Sequence, residues 1–274
     1  MKRREGFTTI LGAILIIAWA LSPVVWIFSL SFKAGDDINN NEFWPTNFSL
    51  ENYQTVFNTP LFTSALRNSI GISLISTLLS VAIATVAAYA IARLDFPGKR
   101  TVLSIALAIA MFPAVSLVGP LFDIWRTVGL YDTWLGLIIP YMSFTLPLSL
   151  WTLSAFFREI PWEMEEAAQM DGATPWQAFR KVIVPLAAPG VFTAAILAFF
   201  FAWNDFVFGI SLTSTDAARP VPAALAFFTG ASQFQQPAGA ISAASVVVTI
   251  PVIILVLLFQ KRIVAGLTNG AVKG

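Results

Sequence analysis

The sequence predicts an all-α integral membrane protein with six transmembrane helices and both termini cytoplasmic. Of 274 residues, 57% are hydrophobic and 11% charged, with a mean hydropathy of +0.76. A soluble domain is about 25% charged, so most of this surface is destined for lipid. Six apolar segments are near the length of about 20 residues that a hydrocarbon core requires. Lysine and arginine segregate between the loops. With the N-terminus inside, the inner segments hold Lys2, Arg3, Arg4, Arg93, Lys99, Arg100, Arg158, Arg180, Lys181, Lys261, Arg262 and Lys273. The outer segments hold only Lys33, Arg67, Arg126 and Arg219.

The first span is Ile10–Ser31. The apolar run around it, Thr8 to Phe32, exceeds the about 7–15 residues of a signal-peptide core, so it reads as a retained span. The outer segment from Lys33 to Arg67 carries Phe43-Trp44-Pro45 and Asn52-Tyr53. A short interfacial helix is expected around Leu50–Phe57, with Ser49 as cap and Trp44 and Tyr53 at headgroup level. The second span, Ser69–Ala92, bears small residues at helical spacing: Ser69, Ser73, Ser76, Ser80, Ala84, Ala87 and Ala88. Such a stripe packs either within the chain or against a second membrane subunit.

The third span, Val102–Leu121, contains Pro113 and Pro120; the fourth, Leu135–Phe156, contains Pro140 and Pro147. Kinks are expected in both. The fifth span is Val191–Leu212. Asp205 is the only acidic residue well inside a span, about 20 Å from its cytoplasmic entry at the helical rise. An ionisable group there faces a cavity or a partner. It either lines a solute path with Trp203 and Asn204 or bonds a neighbouring helix. The segment from Ser211 to Ala240 holds Arg219-Pro220-Val221-Pro222, then Phe227 and Phe228, and reads as an outer loop dipping back onto the membrane. The sixth span is Ile241–Phe259. The cytoplasmic tail, 260–274, is too glycine-rich from Gly266 for a stable helix.

The inner segment 157–190 is longer than a simple reconnection needs. Pro161 favours a first helical turn, and Glu163, Glu165 and Glu166 meet the positive end of the dipole. Trp162, Glu166 and Gln169 share one face; Met164, Ala167, Ala168 and Asp171 form the next. Gly172 sits where a left-handed residue ends the helix. Thr174 caps a second helix with Pro175 in its first turn. Trp176, Phe179 and either Val182 or Ile183 give that helix an apolar stripe. The outcome is either a projecting knob, with carboxylates for a basic partner, or an amphipathic loop lying on headgroups.

Several functions are excluded by composition. The chain has neither cysteine nor histidine, which removes thiolate chemistry, disulfides and the commonest general base and metal ligand. A net charge of +1 gives no reason to expect nucleic acid. Gly98-Lys99-Arg100 lacks the upstream glycine and the hydroxyl of a phosphate loop, so the chain is not expected to be an ATPase.

The pattern Glu166-Ala167-Ala168, Gly172, Val182, Val184-Pro185 resembles the EAA loop of ABC-importer permeases, with two valines where isoleucine and leucine are usual. Pro161, Asp171-Gly172-Ala173, Trp203-Asn204-Asp205-Phe206 and the tail Gly266-Leu267-Thr268-Asn269-Gly270 resemble the carbohydrate branch end to end. The MalG-type subunit of disaccharide importers is the best match, closest in appearance to the mycobacterial trehalose-importer type. Asp205 stands where glutamate is frequent.

That resemblance implies the type I ABC-importer transmembrane fold in a bacterial plasma membrane. It implies a single transmembrane domain forming half of a sugar pathway, with trehalose the best guess as cargo. Partners would be a second permease subunit, two ATPase subunits and an extracellular sugar-binding lipoprotein, as well as membrane lipid. No cofactor is expected in this chain; ATP and magnesium would sit on the ATPase subunits. Glu166, Ala167, Ala168, Asp171, Gly172 and Pro185 would couple to the ATPase, and the tail would reach towards the same interface. Trp203, Asn204 and Asp205 are candidates for the translocation path. The alternatives are an importer of another solute, an ion-coupled secondary transporter, for which Asp205 is the one candidate coupling acid, and an intramembrane enzyme.

Overall fold

The computed structural model describes residues 2–40, 42–228 and 237–271, with side chains for 9–35, 37–40, 42–228 and 237–259. Every regular element among them is helical. In chain order these are α1 (Lys2–Ser31), a 3-10 turn (Gly35–Asn39), α2 (Glu51–Asn58), α3 (Pro60–Arg93), α4 (Lys99–Ala110) and α5 (Ala114–Val128). Next come α6 (Trp134–Glu159), α7 (Glu163–Met170), α8 (Pro175–Ala178), a π-helical turn (Phe179–Ile183) and α9 (Val184–Leu186). The last are α10 (Ala188–Trp203), α11 (Val207–Leu212), α12 (Val221–Leu225) and α13 (Ala238–Ala271). The chain divides into two compact units, residues 1–63 with 224–251 and residues 64–223 with 252–274.

Of the six expected spans, with kinks at the prolines of the third and fourth, the structure gives four as unbroken helices and two as bent pairs. Four described helices are long and apolar enough to cross a membrane: Thr9–Ser31, Pro60–Arg93, Trp134–Glu159 and Ala238–Phe259. The third span is a bent pair, α4 and α5, meeting at 87°. Met111 and Phe112 leave the helix, and Pro113 has no N–H to continue the ladder. The fourth span keeps both prolines inside one helix. The expected fifth span, Val191–Leu212, begins after a 71° bend between the segment Pro175–Leu186 and α10, and α10 stops at Trp203, so residues 204–206 interrupt the span before α11. Counting each bent pair as one span gives up to six among the described residues.

In the first unit, the end of α1 is stitched to α2. The Asn52 amide donates to the carbonyls of Ser31 (3.0 Å) and Lys33 (2.6 Å). Lys33, expected as an outer charge, is fully enclosed; its ammonium donates to Asn40 Oδ1 (2.8 Å) and the Glu42 carbonyl (2.5 Å). The expected helix after Ser49 exists, but Leu50 holds the cap position and Ser49 Oγ accepts from the Glu51 N–H (3.1 Å). The tail also departs from expectation: α13 runs on to Ala271. Extending an existing helix costs only about 1 kcal/mol per glycine, whereas starting one is the difficult step. Residues 272–274, and the side chains from 260 onward, lie outside the described residues, as does any contact the tail was expected to make.

The second unit is built on α3, α6 and α10. Val81, Ala84 and Ala88 of α3 pack on Leu150, Leu153 and Phe157 of α6, with Phe179, Ile183 and Ala194 closing the cluster. The small-residue stripe of α3 is thus consumed within the chain: Ser73, Ser76, Ser80, Ala84 and Ala88 are buried, and the Ser80 and Thr145 hydroxyls pair at 2.7 Å. The far end of the unit packs Ile72, Trp125, Leu137, Tyr141 and Phe208 together.

Beyond that cluster, Asp132 ties the α5–α6 turn to the segment after α11. Its carboxylate accepts from the N–H groups of Ser214 (3.0 Å) and Thr215 (3.2 Å) and from the Thr215 hydroxyl (2.5 Å). Burial pushes the carboxyl pKa up, but these hydrogen bonds outweigh it and hold it below the ordinary 3.8. A depressed carboxylate stabilises the fold above its unfolded pKa, and that contribution disappears as pH falls through the folded value. Thermal unfolding of the detergent-solubilised protein should therefore show an acid-side loss that Asp132→Asn flattens, because the variant already lacks the contribution at neutral pH.

Candidate functional site

The segment from Ile160 to Ala187 forms a bent helical projection between α6 and α10. Ile160 is extended, and Trp162 occupies the cap position of α7. Glu163, Glu165 and Glu166 fall in the first turn, where the dipole favours them. The helix ends in a Schellman motif. The Ala173 N–H donates to the Ala168 carbonyl and the Gly172 N–H to Gln169, both at 3.0 Å. Gly172 has φ +86°, a left-handed value that a side chain disfavours. Thr174 then opens α8 through a capping box. Its hydroxyl accepts from the Gln177 N–H (3.3 Å), and the Gln177 side chain accepts from the Thr174 N–H (2.9 Å).

After α8 the ladder widens into the π turn, closed by the Val184 N–H on the Phe179 carbonyl. Pro185 follows and has no N–H for the Lys181 carbonyl. Glu166, Ala167, Asp171, Gly172 and Pro185 are exposed and Ala168 half-buried. Met164, Ala167, Ala168, Asp171 and Gln177 line a shallow cleft of about 370 Å³ between α7 and α8. A face of small side chains beside exposed carboxylates can receive a close-packed partner that supplies positive charge.

The adjacent glutamates differ. Glu165 points inward, 7% exposed, and its Oε1 accepts from the Tyr89 hydroxyl of α3 (2.5 Å). Sequence reasoning placed all three acids together, and it treated Arg93 only as an inner charge. Helical periodicity gave no clue: the residues one turn away, Trp162 and Gln169, are both exposed, and only the position of α3 decides which face is covered.

The second candidate cluster lies at the break after α10. Trp203 is enclosed and stacks on Phe199 at 5.3 Å. Asn204 is exposed, and its amide donates to the Phe200 carbonyl (2.9 Å). Asp205 Oδ2 accepts from the Tyr141 hydroxyl (2.9 Å) and the Gly209 N–H (3.0 Å), and Oδ1 from the Phe208 N–H (3.4 Å). The carboxylate therefore starts α11 and anchors it to α6. Among the described residues, no group of three or more His, Cys, Asp or Glu side chains converges as a metal site would require.

Residues 77–269 match the family described as binding-protein-dependent transport system inner membrane component. The chain belongs to that family. Among this permease family's members, the chain is 58% identical over 99% of both lengths to the trehalose transport system permease protein SugB of Mycobacterium tuberculosis. It is 41% identical to the trehalose/maltose transport system permease protein MalG of Thermococcus litoralis, over 97% of this chain and 96% of the relative. Its structure resembles a solved bacterial ABC transporter involved in the import of the acidic polysaccharide alginate, with a TM-score of 0.82 and 25% identity. That match covers 94% of this chain and 96% of the other. The matched residues 77–269 include both the projecting loop and the break after α10.

Proposed function

We propose that the chain is a permease subunit of an ATP-driven, binding-protein-dependent sugar importer, with trehalose as cargo. It forms half of the translocation pathway beside a second permease subunit. Two ATPase subunits drive it from the cytoplasm, where both termini lie, and an extracellular binding protein delivers the sugar. The observation that carries the reading is the projecting loop: an exposed Glu166-Ala167 face, fixed in direction by the left-handed turn at Gly172, in a chain whose relatives are named for trehalose transport.

The mechanism follows from differential contact. A coupling element must bind its driver differently in two states, or no work passes through it. Glu166 offers the exposed charge to a basic ATPase residue, while Ala167 and Ala168 allow close approach. Asp171 and Gly172 set the angle to α8, and Pro185 carries the bend towards α10. Closure of the ATPases on ATP would then pull α7 and rearrange the spans. At the other cluster, Asp205 and Trp203 are engaged internally, which leaves Asn204 as the residue that offers an amide to a passing sugar hydroxyl.

The test is reconstitution of the complete transporter in liposomes with binding protein and trehalose. Glu166→Lys places like charges against each other, so trehalose-stimulated ATP hydrolysis and uptake should fall more than about tenfold, with membrane insertion unchanged. Normal stimulation in that variant, or uptake by the purified chain alone under an ion gradient, overturns the reading.

A further inference from the structure

Beneath the exposed face of α7, three side chains that take no part in it converge on the end of α3. Glu165 is 7% exposed, whereas Glu163 and Glu166 are both exposed. Its Oε1 is held by the Tyr89 hydroxyl, while its Oε2 is buried with no partner among the described residues. Arg93 lies one turn further along α3 and is also 7% exposed. Its Nη2 donates to the Ile160 carbonyl (2.5 Å), and its guanidinium lies over the Trp162 ring at 4.4 Å. Its Nε is likewise buried and unpartnered among the described residues. The Tyr89 ring packs beside Phe179 (4.6 Å) and edge-on to Phe157 (6.1 Å). The last two turns of α3 therefore grip the entry to α7, α7 itself and the π turn that follows α8.

This arrangement is costly for a purpose of packing alone. A buried carboxylate and a buried guanidinium each lose hydration, and apolar residues of similar size would pack at least as well. Here the two carry opposite charge, the Tyr89 that holds Glu165 stands one helical turn before Arg93 on α3, and each keeps one unspent atom. Yet the ion pairs among the described residues do not include them. Tyr89 and Arg93 are four apart in a helix, so their side chains lie on one face, separated by about 6 Å along the axis.

We propose that Tyr89, Arg93 and Glu165 form a two-position polar link that passes displacement of α7 to α3. In the arrangement described, Tyr89 holds Glu165. A slide of α7 along α3 exchanges that hydrogen bond for an ion pair with Arg93. Each position gives the buried carboxylate a partner and intermediate ones give none, which makes the link bistable rather than elastic. The three are positioning residues: they act on transport through α3. The proposal deepens the coupling reading above and rests on it.

The test uses the intact reconstituted transporter with trehalose-loaded binding protein. Glu165→Gln removes the second position with little change of shape, and Arg93→Gln removes it together with the guanidinium's contacts to Ile160 and Trp162. Both should retain the ATPase subunits through purification, while the trehalose moved per ATP hydrolysed falls about tenfold, the size expected for one charged hydrogen bond. Tyr89→Phe removes only the first position, so it should raise trehalose-independent hydrolysis about fivefold by favouring the other arrangement. Arg93→Lys keeps the charge and should recover most of the lost ratio. A wild-type trehalose-per-ATP ratio in Glu165→Gln and Arg93→Gln overturns the link. So does a loss of ATPase binding that accounts for the whole defect, the pattern of a merely structural role. Unchanged behaviour of Glu166→Lys in the same assay would instead overturn the docking reading beneath it.

Discussion

Gly172→Pro should abolish trehalose uptake while leaving the chain in the membrane. The residue has φ +86°, and its N–H donates to the Gln169 carbonyl as part of the turn that ends α7. Proline holds φ near about −65° and has no N–H, so the turn cannot form. α7 then leaves at another angle, and the exposed Glu166-Ala167 face no longer stands in fixed relation to α8 and Pro185. Since the loop lies outside the apolar spans, insertion has no reason to change. Uptake in vesicles should drop by about 100-fold or more, the loss expected when a positioning geometry fails. Gly172→Ala is the informative control. A Cβ there meets nothing within 4 Å, so alanine pays only the left-handed backbone cost of about 1 kcal/mol. It should keep most of the activity. Equal damage from alanine and proline would point to loss of the glycine itself rather than of the turn, and wild-type uptake in the proline variant would remove the loop's angle from the mechanism.

Much of this loop was legible in advance because its determinants are local. Gly172 and Thr174-Pro175 are stop and start signals whose physics involves only their own backbone and near neighbours. The position of Gln177, three residues after Thr174, completed the capping box and was a further signal available from spacing alone. Burial was legible only where one answer fitted. The small residues of α3 announced a close approach, but their partner, α6, had to come from the fold. The distinction between Glu165 and Glu166 was not legible, because adjacent residues on a short helix are separated by which neighbour covers them. Tyr89 and Arg93 lie far away in sequence. The break at residues 204–206 was missed for a related reason. Trp203, Phe206 and Phe208 keep the segment apolar, and hydropathy registers that whether or not the helix continues. Asp205 was the one signal of the interruption. Of the two roles left open for it, the hydrogen bond to a neighbouring helix is present as its bond from Tyr141.

Asp205→Ala should be among the most destabilising single changes in the second unit. Its carboxylate takes three donors at once: the Tyr141 hydroxyl and the N–H groups of Phe208 and Gly209. Tyr141, Phe208 and Gly209 are all buried, so water does not readily replace the lost acceptor. Leaving such donors unmet costs about 3 kcal/mol, which for a chain of this size lowers the unfolding temperature by about 5 °C. Asp205→Asn keeps one acceptor oxygen and should lose about half as much. Tyr141→Phe removes a donor and leaves the carboxylate its two backbone partners, so it should be milder. The double variant should be less unstable than the sum of the singles, because the Tyr141–Asp205 bond can be lost only once. Thermal unfolding of the four proteins in detergent measures all of this, and simple additivity would mean the bond contributes nothing. Asn204 provides the contrast that separates scaffold from path. It is exposed and, among the described residues, its side chain bonds only to its own helix through Phe200, so Asn204→Ala should leave the unfolding temperature unchanged. If Asn204 meets the sugar, the same variant lowers trehalose uptake; if uptake is also unchanged, the break after α10 serves to bend the span and the path runs elsewhere.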